Sequence, residues 1–492
     1  MARKTRKSGK PKQQGGTRKQ EVTTSVAPEV APEVAPEVAP EAAPEAAPEA
    51  APEAAPEERM QEGGEENAYE EGAPEDVEPQ EGPEDNENSQ ENLQKMAEEE
   101  WNIQNGGAPH KPHPEKKLRF HILAVPHTVT RKDYSACAFT QKALKFGKMM
   151  FRRGHTIIHY GHNESEIECT EQVSITDNAL FQETYGHYDW KKELFKHNTS
   201  DNCNKVYNER AIVEIGKRKK HRDFLLLFWG IGHADVAKAH PDMISVEPGI
   251  GCFNVPCTPF SIYESYSVMN YVYGQERWQP KWTDAVIPNY FDLEDFKFVE
   301  KPGTYFMYLG RIIESKGIAI AVEIAKRTGI KLKVAGQGDF KAMLGFEPPP
   351  EVEIVGYLEP HERDAMLQGA LALLAPTLYN EPFGGVTVEA LMCGTPIITS
   401  DWGAFAENNL HGVTGYRCRN MDQFIWAAKN VHKIDRRKCR EWAENNFSLE
   451  HVAPMYEEYF TSLLPIFNGK GFYEVNEDRK DLDWLIREYP KA

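Results

Sequence analysis

No segment of this 492-residue chain approaches the ~18 consecutive apolar residues needed to cross a bilayer as a helix. The run Leu225-Leu-Leu-Phe-Trp229 is far too short, and no secretory hydrophobic stretch opens the sequence. The chain is therefore expected to be soluble. Zinc-type cysteine spacing is also missing: among eight cysteines, Cys252 and Cys257 are the closest pair, and Pro256 between them suggests a turn. Several cysteines lie in apolar settings, as reduced core thiols do, so a reducing compartment is expected. That compartment reads as cytoplasmic, with a nuclear or virion-associated setting left open. From Glu58 to Glu100 aromatics are almost absent and acid is plentiful, a composition that cannot bury a core.

What precedes that acidic tract is equally unsuited to folding. Met1 to Lys19 is rich in Arg and Lys, and from Ala27 the tetrads Ala-Pro-Glu-Val and Ala-Pro-Glu-Ala repeat through Pro56. Proline at every fourth position blocks both a regular helix and a sheet, which leaves an extended, solvated segment. Residues 1–116 are therefore expected to be a disordered tail, with folding beginning near Lys117. Much of the formal net charge of −19 lies in this tail and disfavours nonspecific nucleic-acid binding by the whole chain. The basic first twenty residues read as a solvated arm. A nuclear-import signal, a nucleic-acid contact or a contact with the chain's own acidic tract are the alternatives.

The stretch that organises the folded part is Glu381-Pro-Phe-Gly-Gly-Val-Thr-Val-Glu-Ala-Leu-Met-Cys-Gly-Thr-Pro-Ile-Ile-Thr399. It reads as loop, helix, turn and strand. Gly384 and Gly385 open the helix and allow close backbone approach. Val386, Val388, Ala390 and Leu391 form its apolar side, Gly394 stops it and Pro396 forbids continuation. A helix opened by glycine presents free N–H groups and the positive end of its dipole, which suits a phosphate. Two acids bracket that start, Glu381 and Glu389. A carboxylate beside a phosphate site needs another partner, and sugar or ribose hydroxyls fit. A second anion cradle precedes it: strand Tyr305 to Leu309, then Gly310-Arg311, Lys316 and Gly317, which opens the helix Ile318 to Arg327. Arginine grips phosphate through paired N–H groups and lysine adds a point charge.

The segment from Glu381 to Glu389 resembles the Glu-x7-Glu signature of GT-B glycosyltransferases, in particular the family-4-like enzymes of the group 1/4 families. The resemblance covers roughly Phe120 to Leu464. It implies an α/β GT-B fold, two Rossmann-like doubly wound domains facing a cleft. It implies residues 117–288 as the acceptor domain, 289–445 as the nucleotide-sugar domain, and 446–492 as helices returning to the first. Ile-Pro-Asn at 287–289, followed by Asp295 and Phe296, resembles the interdomain linker. The resemblance assigns Arg311 and Lys316 to the donor diphosphate, with Gly310 in the same turn. The amides at Gly384, Gly385 and Val386 join them. It sets Glu381 near the donor sugar, Glu389 on the ribose, and Gly338 and Tyr357 near the base. His233, at a strand end, would reach the donor sugar, although the usual His-x-His arrangement is missing.

The acceptor side reads less directly. The loop after the first strand, Phe120 to Val125, lacks the paired glycines common in the family; Arg131, Lys132, Asp133, Tyr134 and Ser135 are its candidate contacts. Asn163 to Asn204 carries few signals, with Tyr185, Tyr188 and Trp190 as a lid or acceptor shelf. Glu247, Gly249 and Glu264 could touch acceptor hydroxyls or form a buried turn. The implied activity is retaining transfer of a sugar from a UDP-, GDP- or ADP-linked donor to a hydroxyl acceptor, with no cofactor or metal required. An inactive GT-B binding or scaffold protein, a phosphorylase and an epimerase are the competing readings.

Overall fold

The computed structural model describes residues 117–193 and 195–467, all within one compact unit, Asp85–Ala492. The expected tail over 1–116 lies outside the described residues. So do residues 468–492.

Two parallel sheets form the frame. The first has seven strands in the order β3-β2-β1-β4-β5-β6-β7. They are β1 (Arg119–Leu123), β2 (Thr156–His162), β3 (Glu171–Thr176), β4 (Phe224–Leu227), β5 (Ile244–Ile250), β6 (Phe260–Tyr263) and β7 (Ala285–Val286). The central strands are apolar runs such as Phe224-Leu-Leu-Leu227, buried throughout, as strands covered on both faces must be. On one face lies the helix Ala138–Arg152, which buries Phe146, Met149 and Met150. The Phe120 ring meets those of Phe146, Phe224 and Phe460 at 5.5, 5.5 and 4.8 Å.

The second sheet has six strands in the order β10-β9-β8-β11-β12-β13. These are β8 (Tyr305–Leu309), β9 (Lys331–Ala335), β10 (Val352–Gly356), β11 (Ala370–Ala375), β12 (Ile397–Ser400) and β13 (Gly415–Cys418). Counted from its own first strand, its order repeats that of the first sheet: two strands added outward on one side, then the rest on the other. Each sheet thus has a switch point, between β1 and β4 and between β8 and β11. Ligands of doubly wound sheets bind beyond the strand carboxyl ends at such points.

The chain passes between the sheets twice, and the two passes are bonded together. Phe291 N–H donates to Phe447 O at 2.8 Å, and Leu449 N–H donates to Phe291 O at 3.0 Å. The final helix, Leu449–Ile466, then joins the first domain's core through Val452, Tyr456, Phe460 and Leu463. Glu457 pins it there by accepting hydrogen bonds from Arg153 (2.6 Å) and His155 (2.9 Å). Among the described residues no helix is long and apolar enough to cross a membrane.

One region departs from the sequence reading. Asn163 to Asn204, where the sequence carries few signals, contains β3 and the helix Asn178–Tyr185. As an edge strand, β3 buries only Val173, Ile175 and Thr176, so it never presents a continuous apolar run. Asp177 caps the helix by accepting from Leu180 N–H at 2.9 Å.

Candidate functional site

A cleft of about 340 Å³ opens between the carboxyl ends of the two sheets. Its second-domain wall is built at the β8/β11 switch point. Beyond β8, Gly310 and Arg311 turn the chain, and Tyr308 donates its phenolic O–H to Arg311 O at 2.8 Å, which fixes the turn. Gly317, in the left-handed region at φ 73°, then opens the helix Ile318–Thr328. A methyl group there would lie 2.0 Å from Pro376 O, so only glycine fits. This turn carries Lys316 to the segment beyond β11. Its ammonium donates to Glu381 Oε2 at 2.8 Å and to Tyr379 Oη at 2.5 Å. Glu381 is 7% exposed, so Lys316 is the charge that keeps its carboxylate in a largely dry place. Burial, then the adjacent Glu381, pushes the Tyr379 phenol well above the usual range.

The glycine-opened helix is Gly385–Met392, with Gly384 as its cap at φ 78°. A Cβ on Gly384 would stand 2.4 Å from Phe405 Cε1. Gly384, Gly385 and Val386 all line the cleft, and the first amides of a helix have no intrahelical partner. Glu389, one turn along, is paired with Arg363 of the helix Pro360–Gln368. Arg311, Lys316, Glu381 and Glu389 therefore share one cavity with the helix start. What that arrangement can do chemically is hold a doubly charged phosphate group beside carboxylates that accept hydroxyls.

Residues 292–448 match the family described as Glycosyl transferases group 1. The glycogen synthase of Mycobacterium tuberculosis is 32% identical over 152 residues, 28% of this chain and 36% of that enzyme. The chain spans between 36% and 55% of the length of the curated relatives it matches. Among solved structures, AviGT4, a glycosyltransferase involved in avilamycin A biosynthesis, is similar at 17% identity. It has a TM-score of 0.53 and covers 72% of this chain and 98% of its own. An Anabaena protein, HepE, solved with UDP and glucose, has a TM-score of 0.52 at 12% identity, covering 70% of this chain and 100% of its own. Both likenesses establish the GT-B fold.

Other residues expected at the site lie elsewhere. His233 is fully buried under the end of β1. Its Nε2 hydrogen-bonds Ala124 O at 2.9 Å, its ring stacks on Tyr207 at 4.8 Å, and burial lowers its pKa to about 4. It lines no part of the cleft and serves to fix the β1 end, which corrects the catalytic expectation. Gly338 also misses the cleft: its Cα faces Ile312, whose Cβ would be 2.9 Å from an added methyl, while Gly336 and Gln337 form the wall. Tyr357 does line the cleft, and its O–H bridges to the first domain, donating to Asp133 O at 2.8 Å beside Ser135 Oγ at 3.0 Å.

Of the acceptor candidates, Ser135 reaches the cleft. Arg131 is paired with Asp133, Lys132 with Asp295, and Tyr134 stacks on Trp190 at 4.1 Å. Trp190 belongs to a crossing rather than a shelf, since its backbone O accepts from Gln337 Nε2 at 2.7 Å. Tyr185 donates to Asp201 at 3.0 Å, and Tyr188 lies under Lys196. Glu247 is held by the Cys257 and Thr258 amides, and Glu264 pairs with buried Lys142 at 2.7 Å. The carbonyl of Gly249 accepts from the same lysine at 2.8 Å. These three form the buried turn and not an acceptor surface. Among the cleft residues that sequence reasoning missed are Lys145, Gln337 and Arg363. They sit in ordinary helix or loop text with no local signal, and only the packing of two domains brings them in.

Proposed function

We propose that the protein transfers a sugar from a nucleoside-diphosphate sugar to a hydroxyl acceptor with retention at the anomeric carbon. The observation that carries this reading is the Lys316–Glu381 pair, set beside Arg311 and the Gly385–Met392 helix start in one interdomain cleft. As the sugar–phosphate bond breaks, negative charge grows on the departing diphosphate. Arg311, Lys316 and the amides at Gly384, Gly385 and Val386 stabilise that charge with groups already in position. Glu381 orients the donor sugar and, through its bond to Lys316, keeps that ammonium aimed into the cleft. Glu389 accepts the ribose hydroxyls, with Arg363 fixing its rotamer. In this reading the acceptor hydroxyl attacks from the face the diphosphate leaves, and a leaving phosphate oxygen takes its proton. Closing two domains over the donor keeps water out and suppresses hydrolysis. Eight free cysteines support a reducing, cytoplasmic setting.

A thermal-shift screen of UDP-, GDP- and ADP-sugars with the full chain, followed by product mass and anomer analysis, tests this. One donor is expected to raise the melting temperature and to give a glycosylated product with the donor's anomeric configuration. Binding without transfer or hydrolysis would favour an inactive GT-B binding protein. An inverted product would refute retention, and no response to any nucleotide sugar would refute the transferase reading itself.

A further inference from the structure

Six charged side chains face the cleft: Lys145, Arg311, Lys316 and Arg363, against Glu381 and Glu389. Both carboxylates are engaged, Glu381 by Lys316 and Glu389 by Arg363. Two cations are left without an ion-pair partner among the described residues, and they stand on opposite walls. Arg311 follows β8 in the second domain, and Lys145 lies on the helix Ala138–Arg152 of the first.

Lys145 is half-buried, and its ammonium sits against aromatic rings. Its Nζ lies 4.2 Å from the Phe291 ring centroid and 5.8 Å from that of Tyr290. The same Phe291 ring approaches the glycine-opened helix: a Cβ built on Gly385 would be 3.5 Å from Phe291 Cζ. The ammonium and the helix-start amides therefore flank one ring, and both border the cleft. Burial lowers the Lys145 pKa to about 8, against the pull of Glu389, Asp295 and Glu264 and with a push from Lys142. An ammonium held among π faces with no carboxylate in ion-pair contact is poorly solvated, and an anion entering the cavity would relieve it. The diphosphate linkage of a nucleotide sugar carries two negative charges, matching the two unpaired cations. From this wall the β1 loop, Arg131-Lys-Asp-Tyr-Ser-Ala-Cys137, offers no glycine for close backbone approach, which leaves the contact to a side chain.

We propose that Lys145 is the first domain's contact to the donor diphosphate, gripping it from the wall opposite Arg311. The inference rests on the donor-binding reading above and extends it to a residue of the other domain. With Lys145 and Arg311 on separate domains, the diphosphate itself ties the two halves together.

The test is calorimetric titration of the full chain with the nucleoside diphosphate found by the donor screen, with the matching nucleoside followed by competition NMR. Lys145→Met is expected to weaken the diphosphate about 10- to 100-fold, the value of one charge-assisted phosphate contact. The nucleoside should change no more than about threefold, and Lys145→Arg should recover most of the diphosphate affinity. Methionine suits the aromatic surroundings, so the variant is expected to fold. Loss of both ligands to the same degree would mark a merely structural role and overturn the proposal. Wild-type diphosphate affinity in Lys145→Met would overturn it while leaving the transferase reading intact. A wild-type protein that binds no nucleoside diphosphate would sink both.

Discussion

Replacing Lys316 by methionine probes the cleft where its charges are most tightly linked. The ammonium is 22% exposed and its partner Glu381 side chain 9% exposed, so neither charge is well screened by water. Loss of one preorganised donor aimed at developing charge costs about 3–4 kcal/mol of transition-state stabilisation, roughly 100- to 1,000-fold in rate. The same substitution strands Glu381, since the bond of 2.8 Å to Lys316 is its charge partner. An uncompensated carboxylate facing the diphosphate is repulsive, so Lys316→Met should fall toward the larger end of that range. Glu381→Gln in the Lys316→Met background removes the stranded charge. The pair should therefore be non-additive, with a coupling of about 1–3 kcal/mol. The assay is steady-state release of nucleoside diphosphate, reported as kcat/KM for both single variants and the double. A Lys316→Met variant within about threefold of wild type, or strictly additive single effects, would refute the linkage.

Two further predictions address the frame around the cleft. Gly384→Ala forces a side chain into the left-handed region and against Phe405, which is 1% exposed and cannot yield. A loss of about 2–4 kcal/mol is expected, read as a melting temperature lowered by several degrees in scanning calorimetry. An unchanged transition would contradict the cap geometry. At Glu457, burial alone would raise the carboxyl, but hydrogen bonds from His155 and Arg153 outweigh it and hold the pKa to about 2. A carboxyl depressed by folding stabilises the folded state above its ordinary pKa of 4.5, and that contribution fades as pH falls from about 4.5 to about 2. Glu457→Gln should therefore cost on the order of 1 kcal/mol at pH 6 and nothing near pH 2. Urea unfolding at stepped pH reads this out, and a deficit that persists in acid would contradict the clamp.

The second domain was largely legible in the sequence because its signals are local. The strand expected over Tyr305 to Leu309 has the bounds the structure gives. Gly317, Gly384 and Gly394 all adopt the positive φ that makes glycine informative. Arg311, Lys316, Glu381 and Glu389 do share one cleft. The misreadings came from side chains whose role depends on distant packing. His233 follows a strand and a glycine turn, as a site histidine would, yet the helix carrying Tyr207 and Asn208 packs over it. Glu247 and Glu264 lie on glycine-marked text that leaves an acceptor contact and a buried turn equally open, and the backbone amides and buried Lys142 that engage them show the turn. Lys145 is the converse. Nothing in the run Lys142 to Lys148 distinguishes the middle lysine from its neighbours. The structure does: Lys142 pairs with Glu264 and Lys148 with Asp292, while Lys145 faces Phe291 and the cleft.

A crystal structure of the full chain with the nucleoside diphosphate identified by the donor screen tests the central claim most directly. The account predicts the diphosphate within hydrogen-bond reach of the Arg311 guanidinium, the Lys316 ammonium and the amides that open the helix Gly385–Met392. A nucleotide whose phosphates lie outside that cradle, with Arg311 and the helix start still bare, would contradict it.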